Sequence, residues 1–257
     1  MQLSLPRESA AKYNSASQRA RVATEEWGEE NLYCLKCTAG SLNPTRHGTP
    51  AIDFHCPNCE SPYQLKSLSR PISDRIPDAA YSAMRQAIVT GNTPNLFVLS
   101  YGMDSWKVND LILVPSFVFT MSAVEKRPPL APTARRAGWV GCDIILGRIP
   151  TDAKIPLISA GKSENVAAAR RHYKDLAPLS KLALKRRGWT LDVLNVVRSL
   201  NKKSFTLDEV YAHADELAAL HPDNRHVHDK IRQQLQTLRD FGLLKFLSPG
   251  KYLLTSS

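Results

Sequence analysis

Two pairs of cysteines restrict the fold of this chain more than any other feature of its sequence. Each pair has two residues between its members, and residues 38–55 separate the pairs. This spacing lets both thiolates of a pair bind one metal ion, and the loop length is within the range of zinc ribbons. The sequence therefore predicts one structural Zn²⁺ site with four ligands: Cys34, Cys37, Cys56 and Cys59.

Three other residues bear on this site. His47 and His55 lie between the pairs, and either histidine could replace a thiolate as a ligand. With four cysteines available, we expect all four ligands to be cysteines. The fifth cysteine, Cys142, stands alone and is expected to be a small buried apolar residue.

The charge of the chain favours a polyanionic partner. Its formal net charge is +10 and its pI is about 9.5, which suits nucleic acid or an acidic membrane surface. The first residues, MQLSLPRESAAKYN, do not form a secretory signal, and no apolar run approaches the about 20 residues that span a bilayer. We therefore expect a soluble cytoplasmic protein without a membrane partner, where paired cysteines indicate metal and not disulfides.

Hydrophobic periodicity predicts a mixed α/β domain over residues 1–180. Good helix formers follow Ser15, and turn-forming residues interrupt the cysteine region. The predicted elements are a helix over 15–27, strands over 50–55 and 63–68, a helix from Pro77 closed by Gly91, and buried strands over 95–102 and 108–119.

The pattern changes to three helices and a hairpin over residues 181–257. Thr190 is predicted to cap the first helix, and Thr206 with Glu209 forms a capping box for the second. The third helix has one apolar stripe and ends at Gly242; two strands joined by SPG follow it. Three helices and a two-stranded wing predict a winged-helix domain, with residues 177–187 as the linker. The residues predicted to be buried are Leu191, Leu194 and Val197 in the first helix and Val227, Ile231, Leu235, Leu238 and Phe241 in the third.

Asp53, Gln64 and Lys66 form a second candidate constellation. Residues two apart on a strand share a face, so Gln64 and Lys66 can point together toward Asp53 if their strands are neighbours. The pattern resembles the PD-(D/E)xK nuclease signature, in which an acid and a second oxygen ligand hold Mg²⁺ and the lysine stabilises developing charge. The alternative is three surface residues on a hairpin.

Two basic features are candidates for contact with DNA. In the segment LAPTARRAGWVGC, the arginines could contact phosphates and the tryptophan could offer a flat apolar surface, although a loop with a core tryptophan is the alternative. The polar face of the third helix could enter the major groove, or could simply be solvated. The candidate residues are Arg135, Arg136 and Trp139 in the segment, and Lys230, Arg232, Gln233, Gln234, Gln236 and Arg239 in the helix.

Taken together, the chain resembles the DpnI-like family of adenine-methylation-dependent type II restriction endonucleases. The resemblance rests on stretches in the same order over nearly the entire chain: SQRARVATEEW, the cysteine spacing, Asp53 with LKS after Gln64, LAPTARRAGWVGC, RGWTLDVLN and KIRQQLQTLRD. It implies an α/β (α+β) PD-(D/E)xK nuclease core with a zinc ribbon-like insertion, followed by a small winged-helix domain. Both domains of the family bind DNA methylated at adenine within GATC, and the catalytic domain cuts both strands using Mg²⁺.

The resemblance also implies roles for particular residues. Asp53, Gln64 and Leu65 would hold Mg²⁺, and Lys66 would stabilise charge as base or electrophile. Trp139 would belong to the pocket for the adenine methyl groups, with Arg135 and Arg136 near the backbone, and the helix from Lys230 to Arg239 would be the winged-helix reading element.

This sequence departs from the family at Gln64, where the family has its second catalytic acid. An amide supplies an oxygen without a charge, so we expect Mg²⁺ to bind less tightly. Asp74 and Asp78 lie nearby in the chain, and the sequence does not decide whether either reaches the metal.

We therefore expect a monomeric, Mg²⁺-dependent endonuclease that cuts double-stranded DNA at GATC sites carrying N6-methyladenine. Gln64 leaves a second interpretation open, a catalytically weak or inactive methyl-DNA reader or regulator. A zinc-ribbon RNA-binding protein is a third, and preference for single strands would favour it.

Overall fold

The larger part of the molecule is built on a seven-stranded sheet and a three-stranded sheet. The structure, a computed structural model, describes residues 1–45 and 51–255. The strands before the winged-helix domain are β1 (Asn43–Pro44), β2 (Phe54–His55), β3 (Pro62–Leu68), β4 (Arg75–Ala80), β5 (Asn95–Tyr101), β6 (Val108–Val114), β7 (Val124–Lys126), β8 (Gly141–Ile145), β9 (Ile155–Ser159) and β10 (Lys162–Ser163).

The two sheets divide these strands unequally. The larger sheet has the order β1-β2-β3-β5-β6-β9-β10, with β3 and β5 parallel and its other neighbours antiparallel. The smaller sheet has the order β4-β8-β7 and is antiparallel. The helices of this part are α1 (Ala16–Asn31), α2 (Tyr81–Thr90) and α3 (Val166–Leu176).

Strand β5 lies at the centre of the larger core. All its residues are buried, because β3 and β6 flank it and other elements cover both faces of the sheet, which explains its continuous apolar run. Both predicted apolar strands form, but the second ends at Val114. Pro115 follows, and residues 116–118 form a 3₁₀ turn.

Two local predictions in this part are wrong. Pro77 does not begin a helix: it lies in β4, opposite Asp143 of β8, at a place where the pairing register shifts. Proline is tolerated at such irregularities because the missing N–H is not needed there. The helix begins at Tyr81, and Gly91 ends it in the left-handed conformation, as predicted. Of the strand predicted over 50–55, the described part is a strand only over Phe54–His55.

The C-terminal part is a winged-helix domain, as predicted. The predicted second helix is two short helices instead, Leu207–Tyr211 and Ala214–Leu220, and a third strand joins the predicted two-stranded wing. Of the predicted apolar stripe, Ile231, Leu235 and Leu238 are buried and Val227 and Phe241 are half-buried, and the capping box of Thr206 and Glu209 is present. The elements are α4 (Leu184–Ser199), β11 (Ser204–Thr206), α5 (Leu207–Tyr211), α6 (Ala214–Leu220), α7 (Val227–Asp240), β12 (Leu244–Ser248) and β13 (Lys251–Leu254). The three strands form the wing, an antiparallel sheet in the order β11-β13-β12.

Helix α4 differs from its prediction in where it begins. It starts at Leu184, so Lys185, Arg186 and Arg187 of the predicted linker belong to the helix. Thr190 lies inside α4 and caps nothing; its hydroxyl contacts the carbonyl of Arg186 and the side-chain oxygen of Gln234. A threonine inside a helix satisfies its hydroxyl in this way when its side chain is buried.

Helix α4 also joins the two hydrophobic cores. Leu191 packs in the larger core, whereas Leu194 and Val197 pack in the core of the winged helix. Polar contacts run alongside: the Ser122 hydroxyl donates to Asp192 (2.8 Å), and Arg198 pairs with Asp152 (2.5 Å). The predicted fold class, a mixed α/β core with a four-cysteine insertion followed by a winged helix, is confirmed. Among the described residues, no helix has the length and apolar composition needed to cross a membrane.

Candidate functional site

Asp53 lies immediately before β2 and beside β3. Its backbone N–H donates to the carbonyl of Tyr63 (2.9 Å), which extends the pairing of the two strands. Its carboxylate accepts a hydrogen bond from the backbone N–H of Leu65 (2.8 Å). The structure therefore brings Asp53 to the segment that carries Gln64 and Lys66.

Gln64 and Lys66 meet a third side chain, the carboxylate of Asp78. The Gln64 side-chain amide donates to Asp78 Oδ1 (3.1 Å), and Lys66 Nζ lies 2.7 Å from the same oxygen. Gln64 is buried, and the side chain of Asp78 is 2% exposed. Asp78 comes from β4 of the smaller sheet, so the site forms where the two sheets meet.

The electrostatic surroundings of Asp53 are mixed. Burial raises the pKa of the Asp53 carboxyl, and the nearby carboxylate of Glu25 raises it further. The Leu65 N–H, Lys66 and Arg21 act in the opposite direction on this pKa. Glu25 lies on α1 and pairs with Arg21 (2.6 Å), so α1 contributes charge to the site that the sequence motif did not include.

The structure distinguishes the two aspartates that the sequence left undecided. The carboxylate of Asp74 accepts from the backbone N–H of Gly147 and holds the turn over residues 146–148. Asp78, by contrast, faces Gln64 and Lys66. The sequence does not identify Asp78 as part of the site. It predicts a helix from Pro77 that includes this residue, which leaves the direction of the Asp78 side chain undefined.

The donor atoms of this site suit a hard divalent cation. The carboxylate of Asp53, the side-chain oxygen of Gln64 and the backbone carbonyl of Leu65 are all oxygen donors, which Mg²⁺ prefers over nitrogen or sulfur. The residues present thus fit such an ion by their chemistry.

The four paired cysteines form one cluster. Their sulfur atoms all lie within 4.8 Å of one another, with 3.7 Å between Cys34 and Cys59 and 3.5 Å between Cys37 and Cys56. Four sulfurs bound tetrahedrally at about 2.3 Å from Zn²⁺ are separated by about 3.8 Å. The cluster therefore has the composition and nearly the size of a four-thiolate zinc site.

The cluster is held by elements on both sides. Cys34 and Cys37 follow α1, whereas Cys56 and Cys59 lie in the turn between β2 and β3. Arg170 of α3 donates to the carbonyls of residues 34 and 39 (3.0 and 2.8 Å). A metal bound here would join α1 to the hairpin that carries the candidate site.

The remaining candidates that the sequence offers for this site are two histidines and the fifth cysteine. Among the described residues, the side chains close enough to bind one metal ion together are the four cysteines, and His55 is not among them. His47 lies outside the described residues. Cys142 is fully buried in β8, as expected, and its thiol contacts the carbonyl of Ala79 (3.3 Å). Burial raises the pKa of the Cys142 thiol to about 12.

Residues 127–140 form a loop that extends the β7–β8 hairpin. Backbone hydrogen bonds join Leu130 to Trp139 and to Gly138 at its base. Trp139 is partly buried, the Arg136 guanidinium lies 4.7 Å from its ring centroid, and Arg135 is exposed. A Cβ on Gly141 would lie 2.7 Å from the Trp139 ring, so glycine there makes room for the ring.

This loop is anchored next to the candidate site. The N–H of Tyr81 donates to the carbonyl of Val140 (3.0 Å), and Ala80 is paired with Gly141. Asp78 lies two residues before Ala80 on the same strand. The Trp139 loop and the candidate site are thus joined through one end of β4.

Helix α7 has an exposed polar face, but one predicted member does not belong to it. Gln234 is fully buried, and its side-chain oxygen accepts from the Thr190 hydroxyl (2.8 Å), so its assignment to DNA reading is corrected. The helical period turns position 234 toward α4 together with Ile231 and Leu235. Of the other predicted residues, Lys230 is partly buried. The exposed ones are Arg232, Gln233, Gln236 and Arg239.

Internal contacts orient several of these exposed side chains. Lys230 donates to the side-chain oxygen of Gln233 (2.7 Å). The Arg239 guanidinium pairs with Asp240 (2.8 Å) and lies over the ring of Phe246 in the wing, 4.6 Å from the centroid. The exposed face of α7 therefore carries positive charge next to the wing.

Comparison with known families gives two matches that together cover most of the chain. The model of the family described as DpnI, Dam-replacing family, matches residues 1–182. A second model, described as the Dam-replacing HTH domain of the same family, matches residues 185–253.

Proposed function

Because the DpnI, Dam-replacing family model matches well over half of the chain, the chain belongs to this family of restriction endonucleases, and we propose a specific activity for it. It cleaves both strands of double-stranded DNA at GATC sites that contain N6-methyladenine, by Mg²⁺-dependent hydrolysis of phosphodiester bonds. Residues 1–180 form the catalytic domain, and residues 181–257 form a DNA-binding domain. The enzyme is a cytoplasmic monomer in solution.

One observation carries the proposal: Asp53 lies beside β3, the strand that presents Gln64 and Lys66. The Asp53 carboxylate accepts from the N–H of Leu65, the residue between Gln64 and Lys66 on that strand. Metal-dependent hydrolysis of a phosphodiester bond uses a carboxylate and a second oxygen donor to hold the metal ion, and an ammonium group to stabilise charge on the phosphate.

Each residue has a distinct role in this proposal. Asp53, Gln64 and Leu65 provide the oxygen donors for Mg²⁺. When bound, Mg²⁺ would polarise the scissile phosphate and lower the pKa of the attacking water. Lys66, whose side chain is 26% exposed, stabilises the negative charge that develops on the phosphate.

Zinc has a structural role in the proposal. The four cysteines hold one Zn²⁺, and two of them lie in the turn that connects β2 to β3. Because Asp53 and Gln64 flank this turn, the metal stabilises the relative position of the strands that carry the site.

Both domains contact the methylated duplex in this proposal. Arg135 and Arg136 bind phosphates beside the catalytic site, and Trp139 contacts the adenine methyl groups. The exposed face of α7 reads the major groove from the winged helix. The net charge of +10 supplies attraction to the phosphate backbone.

A comparison of two plasmid preparations tests the activity. Plasmid from a Dam-methylating host should be cut in Mg²⁺, whereas the same plasmid from a Dam-deficient host should stay intact. Methylating the second preparation in vitro at GATC should make it cleavable, which controls for differences between the preparations. If both plasmids resist cleavage equally in Mg²⁺ and in Mn²⁺, the proposal is refuted.

Gln64 favours a second candidate, a methyl-DNA-binding protein or regulator without efficient catalysis. An amide in place of the family's second acid removes one charge from the cation site. Tight binding of a methylated GATC duplex, with no cleavage of either plasmid, would select this candidate.

A further inference from the structure

We propose that Asp78 is a positioning residue of the cleavage site, which makes Gln64 usable as a metal ligand by fixing the orientation of its amide. Asp78 also holds the ammonium of Lys66. This role rests on the proposed nuclease function, because the cation of that reaction is the ligand that Gln64 would bind.

The contacts of Asp78 place it between the two functional side chains. One oxygen, Oδ1, accepts from Gln64 Nε2 (3.1 Å) and lies 2.7 Å from Lys66 Nζ. Its side chain is 2% exposed, and Gln64 is likewise buried. Water therefore competes little for either contact, and the carboxylate controls where both partners lie.

The chemistry of the carboxylate determines which end of the amide faces it. A carboxylate paired with an ammonium only accepts hydrogen bonds, so Gln64 must turn its NH₂ group toward Asp78. Its oxygen, Oε1, then lies on the other side of the amide carbon. A rotated amide would present an NH₂ group, which Mg²⁺ does not bind. Asp78 thus selects the amide orientation that leaves an oxygen donor free.

The same contact makes a glutamate unsuitable at position 64 of this chain. The substitution Gln64→Glu would bring a second carboxylate to the Asp78 oxygen that now accepts from an amide, and two like charges at that distance repel strongly. Exchanging both groups would restore the pairing with donor and acceptor reversed. The pair Gln64 and Asp78 therefore forms one unit, in which either member can be the carboxylate when the other is the amide.

Four variants of the full-length, zinc-loaded chain test this unit: Asp78→Asn, Gln64→Glu, the double variant Gln64→Glu/Asp78→Asn, and Asp143→Asn as a matched control. Asp143 lies in the same small sheet and pairs with Arg75, whereas Gln64 and Lys66 pair with Asp78. Mn²⁺ is the probe, and electron paramagnetic resonance of the free ion measures its binding without DNA. Thermal unfolding and the cleavage rate of methylated plasmid are measured in parallel.

Asp78→Asn should weaken Mn²⁺ binding by at least about fivefold, the equivalent of one lost hydrogen bond. Gln64→Glu adds a charged ligand, and its carboxylate repels Asp78 in the absence of the ion, so it should lower the unfolding temperature of the ion-free protein. The double variant should recover most of the affinity that Asp78→Asn loses, and Asp143→Asn should bind as the wild type does. Cleavage should follow the same order. Should Asp78→Asn fail to fold, the double variant still carries the test, because it restores a paired carboxylate and amide.

Two results would overturn the proposal: wild-type Mn²⁺ affinity in Asp78→Asn, or an unchanged unfolding temperature of the ion-free protein in Gln64→Glu. Failure of the nuclease function is recognised separately. A chain that shows the expected order of Mn²⁺ affinities but cuts no methylated plasmid would keep the Gln64–Asp78 unit and lose the proposed activity.

Discussion

Lys66 shows how strongly a single residue of the site depends on its neighbours. Its ammonium lies 2.7 Å from a buried carboxylate, yet 26% of the side chain is exposed. A lysine held in this way has a fixed position before a substrate arrives, which would lower the reorganisation needed during the proposed reaction.

Replacing Lys66 by alanine should abolish cleavage and leave binding largely intact. The variant removes charge that stabilises the transition state, so the cleavage rate should fall by at least about a hundredfold. The affinity for a methylated GATC duplex should change little, because the winged helix and the Trp139 loop are untouched. Plasmid cleavage in Mg²⁺ and gel-shift titration without Mg²⁺ measure the two effects.

Lys162→Ala is the matched control for Lys66→Ala. Lys162 is an exposed lysine on β10, at the opposite edge of the same sheet. Its removal takes away the same charge from the molecule, and cleavage should continue near the wild-type rate. Retained cleavage in Lys66→Ala would contradict the role assigned to the lysine.

At the scale of a single element, α7 separates an exposed polar face, the proposed reading face, from a packing face. Ile231, Gln234 and Leu235 are fully buried, whereas Gln236 is exposed. Two glutamines two positions apart therefore have different surroundings. The buried one satisfies the hydroxyl of Thr190 in α4, and the exposed one is free to contact a base.

Alanine substitutions at these two glutamines should have opposite consequences. Gln234→Ala removes one of the two acceptors of the Thr190 hydroxyl and leaves a cavity where a fully buried side chain packed, so it should lower the free energy of unfolding by about 1–3 kcal/mol. Gln236→Ala should leave stability unchanged and weaken binding to the methylated duplex by at least about fivefold, as expected for a lost base contact. Urea unfolding and gel-shift titration distinguish them, and unchanged binding in Gln236→Ala would exclude that residue from the reading face.

At the scale of the whole molecule, the two cores are connected through α4. One end of the connection is the ion pair between Arg198 and Asp152, with side chains 14% and 9% exposed. The other end is Asp192, whose carboxylate accepts from the Ser122 hydroxyl and contacts His221 Nε2 (2.7 Å). The His221 ring in turn stacks on Trp189. These contacts hold the winged helix at a defined position on the α/β domain.

Asp152→Ala should destabilise the chain by about 3 kcal/mol, because it leaves the Arg198 guanidinium largely buried without its partner. The matched control is Glu125→Ala, which breaks the exposed ion pair with Arg75 and should cost less than about 1 kcal/mol. Urea unfolding measures both. Equal losses would mean that burial of the Arg198 pair has no energetic consequence.

Removing zinc should destabilise the α/β domain before the winged helix. The cysteine cluster joins α1 to the β2–β3 turn, whereas the winged helix has its own hydrophobic core. Hydrogen exchange should therefore show lost protection of β3 amides after chelation while α7 amides stay protected, and added Zn²⁺ should restore β3. Unchanged protection of β3 would contradict a structural role for the metal.

The sequence alone was sufficient where a structure depends on neighbours in the chain. The two-residue spacing of the cysteines, the capping box at Thr206 and the apolar period of α7 are local patterns, and each appears in the structure as predicted. Such features follow from backbone geometry and helical periodicity, which a short segment already contains.

Only the tertiary structure decided the features that join distant segments. Asp78 reaches Gln64 and Lys66 because two sheets meet at that point, and no local propensity of residues 75–80 encodes this contact. The sequence likewise predicts a cap at Thr190 and a DNA contact at Gln234, although the packing of α4 against α7 buries the two side chains against each other. Burial between elements overrides local preference, because a buried polar group must find its partner wherever the fold places one.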